Sequence, residues 1–534
     1  VTAKLIGALI GELGTDVGVA LPEVRVVGED PVLPSVFPIG TMAAASAGAL
    51  AAAVAAYAGH MGESVGGRPG GREPARDAYG DPDVTIDVRH AAVAFQSERH
   101  FRTDGKAMDT WAALSGDYRT SGGWVRLHCN FDHHRDAALR ALGLPPGSGK
   151  EDVARACAAR TAVEIEDAVI REGGCAAAMR SRAQWLAHPQ AGALAELPLV
   201  GLSRLSGRDG QADADSGRDG EADGDAGWAG QADWDSGWAG QASEAVGGET
   251  GRGAGRAQAR HMRGDLGTSA PTGMKRPLGG VRVLDLTRVI AGPVAARALA
   301  AYGADVLRVG AAHLPEVPGL VVETAFGKRS CHIDLRSEAD RLKELVRQAD
   351  VVIQAYRPGA LRARGFGPDD LAALRPGIVC VDISAYGSRG PWASRRGFDS
   401  LVQMACGIAH ENGDGLRPSP LPAQALDHGT GYLAAFGAVA ALLRRAAEGG
   451  SWHVEVSLAR TAAWLDDLGR IDGAGIDGAG VRQPVVDDLL ATMDSPFGTL
   501  TYVTPPGAIN GTRPHWTSPP PRQGEHPAAW APSS

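Results

Sequence analysis

After residue 275 the chain alternates short, largely apolar runs with helix-length stretches. Val281 to Leu286 predicts a strand, and the Ala-rich stretch from Ala291 to Tyr302 predicts a helix. Asp305 to Val309 reads as the next strand. Helices are expected at 340–348 and 368–373, and strands at 351–354 and 378–383. Strands separated by helices predict an α/β fold with a doubly wound parallel sheet. Such sheets place ligands beyond the carboxyl ends of their strands. Ala291-Gly292-Pro293 lies at one such end, but no G-x-G-x-x-G occurs at that turn, so a dinucleotide is not the indicated ligand.

The first 200 residues are also globular in pattern. Thr41 to Gly59 is nearly uncharged and long enough to suggest a membrane span. It is dominated by Ala and has no basic flank before it, so a buried helix is expected and no membrane contact. At the N-terminus, Lys4 and a short apolar run are followed by Glu12 and Asp16, which is not a signal-peptide pattern. From Ser203 to Gly273 the composition changes. A decapeptide repeat begins at Gly207, Gly217, Gly227 and Gly237. Gly and Asp at this density bury too little apolar surface to offset chain entropy. The period differs from the nonapeptide of calcium-binding β-rolls, so a disordered, flexible Gly/Asp-rich linker is expected. Trp228, Trp234 and Trp238 have no explanation in that reading. The expected organisation is a globular unit at 1–200, a linker at 201–274 and a second unit at 275–534.

With 44% hydrophobic and 22% charged residues, the chain has the balance of a soluble globular protein. A net charge of -9 lacks the basic footprint of a nucleic-acid binder. The six cysteines include no C-x-x-C pair, which suggests reduced thiols and a cytoplasmic setting. His128, Asp132, His133 and His134 are close in sequence but have no Cys or carboxylate partner at metal-site spacing. They read as a polar loop or helix start. No metal and no permanently bound cofactor are expected.

Several boxes in order give the second unit a likeness. Asp285 to Pro293 is a strand, a small-residue turn and Ala-Gly-Pro. Gly303-Ala304-Asp305-Val306-Leu307-Arg308-Val309 follows, then Lys328-Arg329-Ser330 before Ile333-Asp334-Leu335. Asp350-Val351-Val352-Ile353 leads to Tyr356-Arg357-Pro358-Gly359. Tyr386-Gly387, Gly390-Pro391-Trp392 and Gly397-Phe398-Asp399 come next, then Leu426-Asp427-His428-Gly429-Thr430-Gly431, with a helix expected at 432–445 and a strand at 453–456. Each box alone is common; their order resembles family III CoA-transferases, the CaiB/BaiF group. The first 200 residues resemble the later part of the same family's unit, with Thr41 where the second unit has Asp427. Gly116-Asp117-Tyr118-Arg119 and Trp124 to Leu127 resemble the family's small α+β domain.

The resemblance implies a CoA-transferase that moves CoA from an acyl-CoA to a carboxylic acid, with Asp427 as the nucleophile. It implies that the backbone of Val289, Ile290 and Ala291 lines the CoA arm, Ile290 standing where relatives carry Gln. Tyr356, Arg357 and Arg362 are candidates for the CoA site, the two arginines reading equally well as structural charges of an exposed helix or loop, and the backbone at Gly429 for the oxyanion. A helix start at Asp427 would favour its charged form; the plainer reading of Asp427 is an N-cap. His428 is assigned no catalytic role. Two alternatives stand beside the transferase. An α-methylacyl-CoA racemase of this fold would need a histidine where Phe398 stands. A non-catalytic acyl-CoA-binding protein would explain the altered positions. Family members form interlocked dimers, so the resemblance implies a homodimer or a pseudo-dimer within one chain.

Overall fold

A computed structural model describes residues 2–66, 82–108, 111–205, 276–471, 481 and 483–532. The decapeptide repeat and its tryptophans lie outside the described residues.

Seven strands form the main sheet. They are β1 (Gly201–Leu205), β2 (Arg282–Asp285), β3 (Asp305–Gly310), β4 (Lys328–His332), β5 (Val351–Gln354), β6 (Val379–Ser384) and β7 (Ser451–Ser457). Their spatial order is β4-β3-β2-β5-β6-β7-β1. Pairing is parallel from β4 through β7. Only β1 runs antiparallel, pairing Leu202 with Val454. The strands expected from sequence are present. The chain order β2, β3, β4 runs to one edge and β5, β6, β7 to the other, which places a switch in direction between β2 and β5.

Strand β4 was not expected as a strand, because Lys328-Arg329-Ser330-Cys331-His332 has no apolar run. A Lys-Arg pair is ordinarily a solvated surface feature. Here Lys328 is buried, and its Nζ donates to Asp285 Oδ2 at 2.7 Å and to the Pro293 carbonyl at 2.9 Å. Asp285 Oδ1 in turn accepts the Thr287 amide at 3.0 Å and the Thr287 hydroxyl. This network pins the end of β2, the following turn and β4 to one another.

Seven helices matter for the site: α1 (Ile39–Gly66), α2 (Ser97–His100), α3 (Ala162–Arg171), α4 (Ala291–Ala301), α5 (Asp399–Ala405), α6 (Ala425–Glu448) and α7 (Leu458–Asp467). α6 is buried at every position from Ala425 to Leu442. Its Gly and Ala residues permit close helix approach: a Cβ on Gly431 would lie 2.6 Å from the Ala291 carbonyl oxygen of α4. α1 packs along α6 in the same core. It is the one described helix apolar and long enough to cross a membrane, and 94% of its most apolar window is buried inside the protein.

Residues 116–178 carry their own small core. Strands Gly116–Thr120, Gly123–Leu127 and Ala176–Ala178 form an antiparallel sheet over Ile165 and Val169 of α3. Glu166 of α3 ties this core to the main sheet. It takes Arg180 from its own side and Arg395 at 2.7 Å from the segment after β6. The described residues before 206 and after 275 pack as one compact unit. All six cysteines are buried free thiols.

Candidate functional site

Asp427 lies in the first turn of α6 rather than before the helix. α6 begins at Ala425, seven residues ahead of the helix start expected at Tyr432. The cause is a cap from elsewhere in the chain. Asp399, first residue of α5, turns Oδ2 toward α6 and accepts the amides of Leu426 at 2.8 Å and Asp427 at 3.0 Å. Gln403, one turn along α5, donates to the other oxygen of Asp399 and accepts the Leu421 amide at 2.8 Å. The helix-start N–H groups that an N-cap residue would satisfy are therefore taken by Asp399. The Asp427 carboxylate is not a cap, and it has no hydrogen-bond partner among the described residues. It is 7% exposed.

The expectation that the helix start would favour an ionised Asp427 is corrected by this arrangement. Burial, then the neighbouring charges of Asp399 and Glu98, hold the Asp427 carboxyl well above the usual carboxylate range. Burial also pushes Asp399 up to about 6, against the hydrogen bonds it accepts. Glu98 comes from α2, in the first part of the chain. Burial opposes its charge, but the bond and charge of His428 outweigh this and hold Glu98 below its usual range. His428 Nε2 lies 3.0 Å from Glu98 Oε2, and its ring stacks on Phe95. His428 is thus occupied in a buried pair.

The turn from Val289 to Ala291 sits beside this helix. Asp427 and Gly431 are four residues apart and share a face of α6, and that face meets the Ala291 carbonyl. Val289 has φ +74°. A β-branched residue rarely adopts that conformation, and such strain persists where surrounding structure enforces it. Val289 lines a small pocket with Arg288, Arg308, Glu316 and Thr324. Ile290 is buried and caps α4 without a side-chain bond.

Tyr356 is half-buried after β5, with the Arg288 guanidinium 5.9 Å from its ring centre. Arg288 follows β2, Arg357 follows β5 and Arg396 follows β6, three neighbouring strands. Burial and then the charges of Arg357 and Arg288 lower the proton affinity of Arg396. This basic cluster stands at the carboxyl ends of the sheet. Arg288 and Arg396 were not singled out from sequence; only the strand order brings them to Arg357. Arg362 is elsewhere, exposed and 3.6 Å from Asp369. Gly429 faces Met42 and Thr461, and its amide belongs to the α6 ladder, so it is not a free oxyanion donor.

Of the two arrangements expected for residues 128–134 the helix start is the one found: Asp132, His133 and His134 open a helix, Asp132–Ala141. His128 and His134 are buried, and the His128 ring lies flat on Phe398 at 3.7 Å. His134 Nε2 contacts the Cys175 thiol at 3.5 Å. Burial pushes His128 down to about 3, so the ring is neutral. The small core thus rests against the residue that precedes Asp399.

Residues 278–469 match a family described as CoA-transferase family III. Among curated proteins, an acetyl-coenzyme A transferase of Hypoxylon pulicicidum is 37% identical over 206 residues, covering 37% of this chain and 35% of that one. A probable fatty acyl-CoA transferase of Mycobacterium tuberculosis is 35% identical over 209 residues, covering 36% of this chain and 52% of its own length. Succinyl-CoA:glutarate CoA-transferase of Homo sapiens is 33% identical, covering 34% of this chain and 45% of that one. The chain therefore spans about half or less of the relatives it matches.

Proposed function

We propose, on the premise of the match of residues 278–469 to CoA-transferase family III, that the chain transfers CoA from an acyl-CoA to a carboxylic acid with Asp427 as nucleophile. The observation that carries this reading is the Asp427 carboxylate itself. It is buried without a hydrogen-bond partner among the described residues, on the helix face that meets the strained turn at Val289 to Ala291.

In this reading an Asp427 oxygen attacks the thioester carbonyl, the C–S bond breaks and the thiolate leaves with its electron pair. A mixed anhydride results. The thiolate then attacks the aspartyl carbonyl, releasing the donor carboxylate and leaving an aspartyl-CoA thioester. An acceptor carboxylate attacks that thioester, and the released thiolate takes its acyl group, regenerating Asp427. Covalent catalysis of this kind divides one difficult exchange into easier steps. The backbone at Val289 to Ala291 and the ring of Tyr356 line the CoA arm. Arg288, Arg357 and Arg396 supply positive charge for its phosphates, against the negative sign of the whole chain. CoA is bound as a substrate.

Residues 1–200 act as the family's second half-unit, without a nucleophile. Thr41 is the third residue of α1 as Asp427 is the third of α6, and the two helices pack together, which favours a pseudo-dimer within one chain. Cytoplasmic placement belongs to the same reading.

The test is mass spectrometry of the protein incubated with a panel of acyl-CoAs and trapped with hydroxylamine or borohydride. An adduct on Asp427, absent in Asp427→Asn, is expected. Tight acyl-CoA binding without adduct or α-proton exchange would replace the transferase with a binding protein. Exchange without an adduct would favour the racemase.

A further inference from the structure

Asp399 and Asp427 cannot separate without undoing the start of α6, because one carboxylate accepts the other residue's own amide hydrogen. Asp399 and Gln403 are each 1% exposed. Gln403 holds one oxygen of Asp399, which leaves the other to face α6. The helix N-terminus ordinarily stabilises a nearby anion through its free amides. Here two of those amides serve Asp399, and the Asp427 carboxylate is left beside a like group in a buried setting.

We infer that Asp399 is the positioning residue of this site: it seats the first turn of α6 and, by its charge, governs when the Asp427 carboxyl gives up its proton. The functional meaning rests on the transferase reading, since a carboxyl must be ionised to attack a thioester. The charged groups acting on Asp427 are Asp399 from α5 and Glu98 from α2; Glu98 is itself paired with His428 on α6. α1, α4 and α7, the other helices packed on α6, add none. Two carboxylates in one buried place do not both ionise readily.

A comparison within the same chain separates capping from charge. At α1, Asp30 accepts the amides of Gly40 at 3.2 Å and Thr41 at 2.6 Å. It therefore caps α1 much as Asp399 caps α6. But the capped residue there is Thr41, whose hydroxyl simply donates to Asp30 at 2.9 Å. The same cap without a facing carboxylate is a structural device alone.

The experiment is an infrared pH titration of the full chain. The protonated Asp427 carboxyl is identified by the carbonyl band lost in Asp427→Asn. In Asp399→Asn an acceptor oxygen remains for the two amides and the charge is gone. The midpoint of the Asp427 band is expected to move down by about one pH unit or more. Glu98→Gln should move it the same way, and Asp30→Asn should leave it in place. Reciprocally, the Asp399 band should move down in Asp427→Asn, because coupling between two sites is mutual; this arm holds if Asp399→Asn does not fold. An unmoved Asp427 midpoint in Asp399→Asn, or an unmoved Asp399 midpoint in Asp427→Asn, overturns the inference. The titration uses no acyl-CoA. If the midpoints move but no adduct forms on Asp427, the transferase reading fails alone; if the adduct forms and the midpoints stay, the inference fails alone.

Discussion

Gly431 turns its bare Cα toward the Ala291 carbonyl, and a Cβ there would sit 2.6 Å from that oxygen. The obstacle is backbone, which cannot rotate aside as a side chain can. Gly431→Ala is expected to cost about 1–3 kcal/mol and to slow adduct formation at Asp427, one turn away. Gly59, in α1, has open space at the same position. Gly59→Ala should gain about 0.5–1 kcal/mol from helix propensity. Urea midpoints of the two variants, moving in opposite directions, check that sterics and not propensity decide at Gly431.

Glu166 is 1% exposed and faces both Arg180 and Arg395. Burial works against its charge, but the two arginines outweigh burial and hold it below the usual Glu range. Its stabilising effect is therefore present above the ordinary Glu value and fades as pH falls through the lower folded value. Glu166→Gln should cost about 3–5 kcal/mol at neutral pH, since it leaves two arginines without their anion. Urea unfolding across pH should show the gap between wild type and variant persisting at mildly acidic pH and narrowing below it.

Lys328 is the charge that balances Asp285 inside the sheet. Lys328→Met keeps the length of the side chain and strands a buried carboxylate. A loss of about 3–5 kcal/mol is expected. Asp285→Asn in the same background should recover much of it, because a neutral amide need not be paired with a cation. Denaturant midpoints of the single and double variants measure the coupling.

Arg357 and Arg362 are five residues apart and should behave differently. Arg357 belongs to the cluster at the strand ends, whereas Arg362 lies 3.6 Å from Asp369 in solvent. Charged hydrogen bonds to phosphate contribute about 1.5–3 kcal/mol. Arg357→Ala should therefore weaken acyl-CoA binding roughly tenfold or more, most clearly at low salt. Arg362→Ala should leave it unchanged. Titration calorimetry with one acyl-CoA and both variants decides between them.

The alternation of strand and helix was legible because runs such as Val351-Val352-Ile353 are apolar and lie between turns. β4 was not, since its lysine is buried by a partner 43 residues away in sequence. The start of α6 was misplaced for a similar reason: its cap, Asp399, lies 28 residues upstream, and local capping rules read only neighbours. Asp427 was visible as a residue, but not the company that changes its protonation. Glu98 in particular stands 330 residues before His428. The positive φ of Val289 has no sequence signal, because nothing about valine announces it. Arg288 and Arg396 become neighbours of Arg357 only once the strand order is known.

β1 and β7 are hydrogen-bonded neighbours, yet β1 belongs to the part of the chain before residue 206 and β7 to the part after 275. The peptide link between the two parts is thus not what holds them side by side; an edge strand, the Glu98–His428 pair and the shared helix core do that. Cleavage anywhere between 206 and 274 should yield two polypeptides that copurify. Expressed from separate genes, 1–205 and 276–534 should reconstitute a working split protein, with neither half soluble and active on its own.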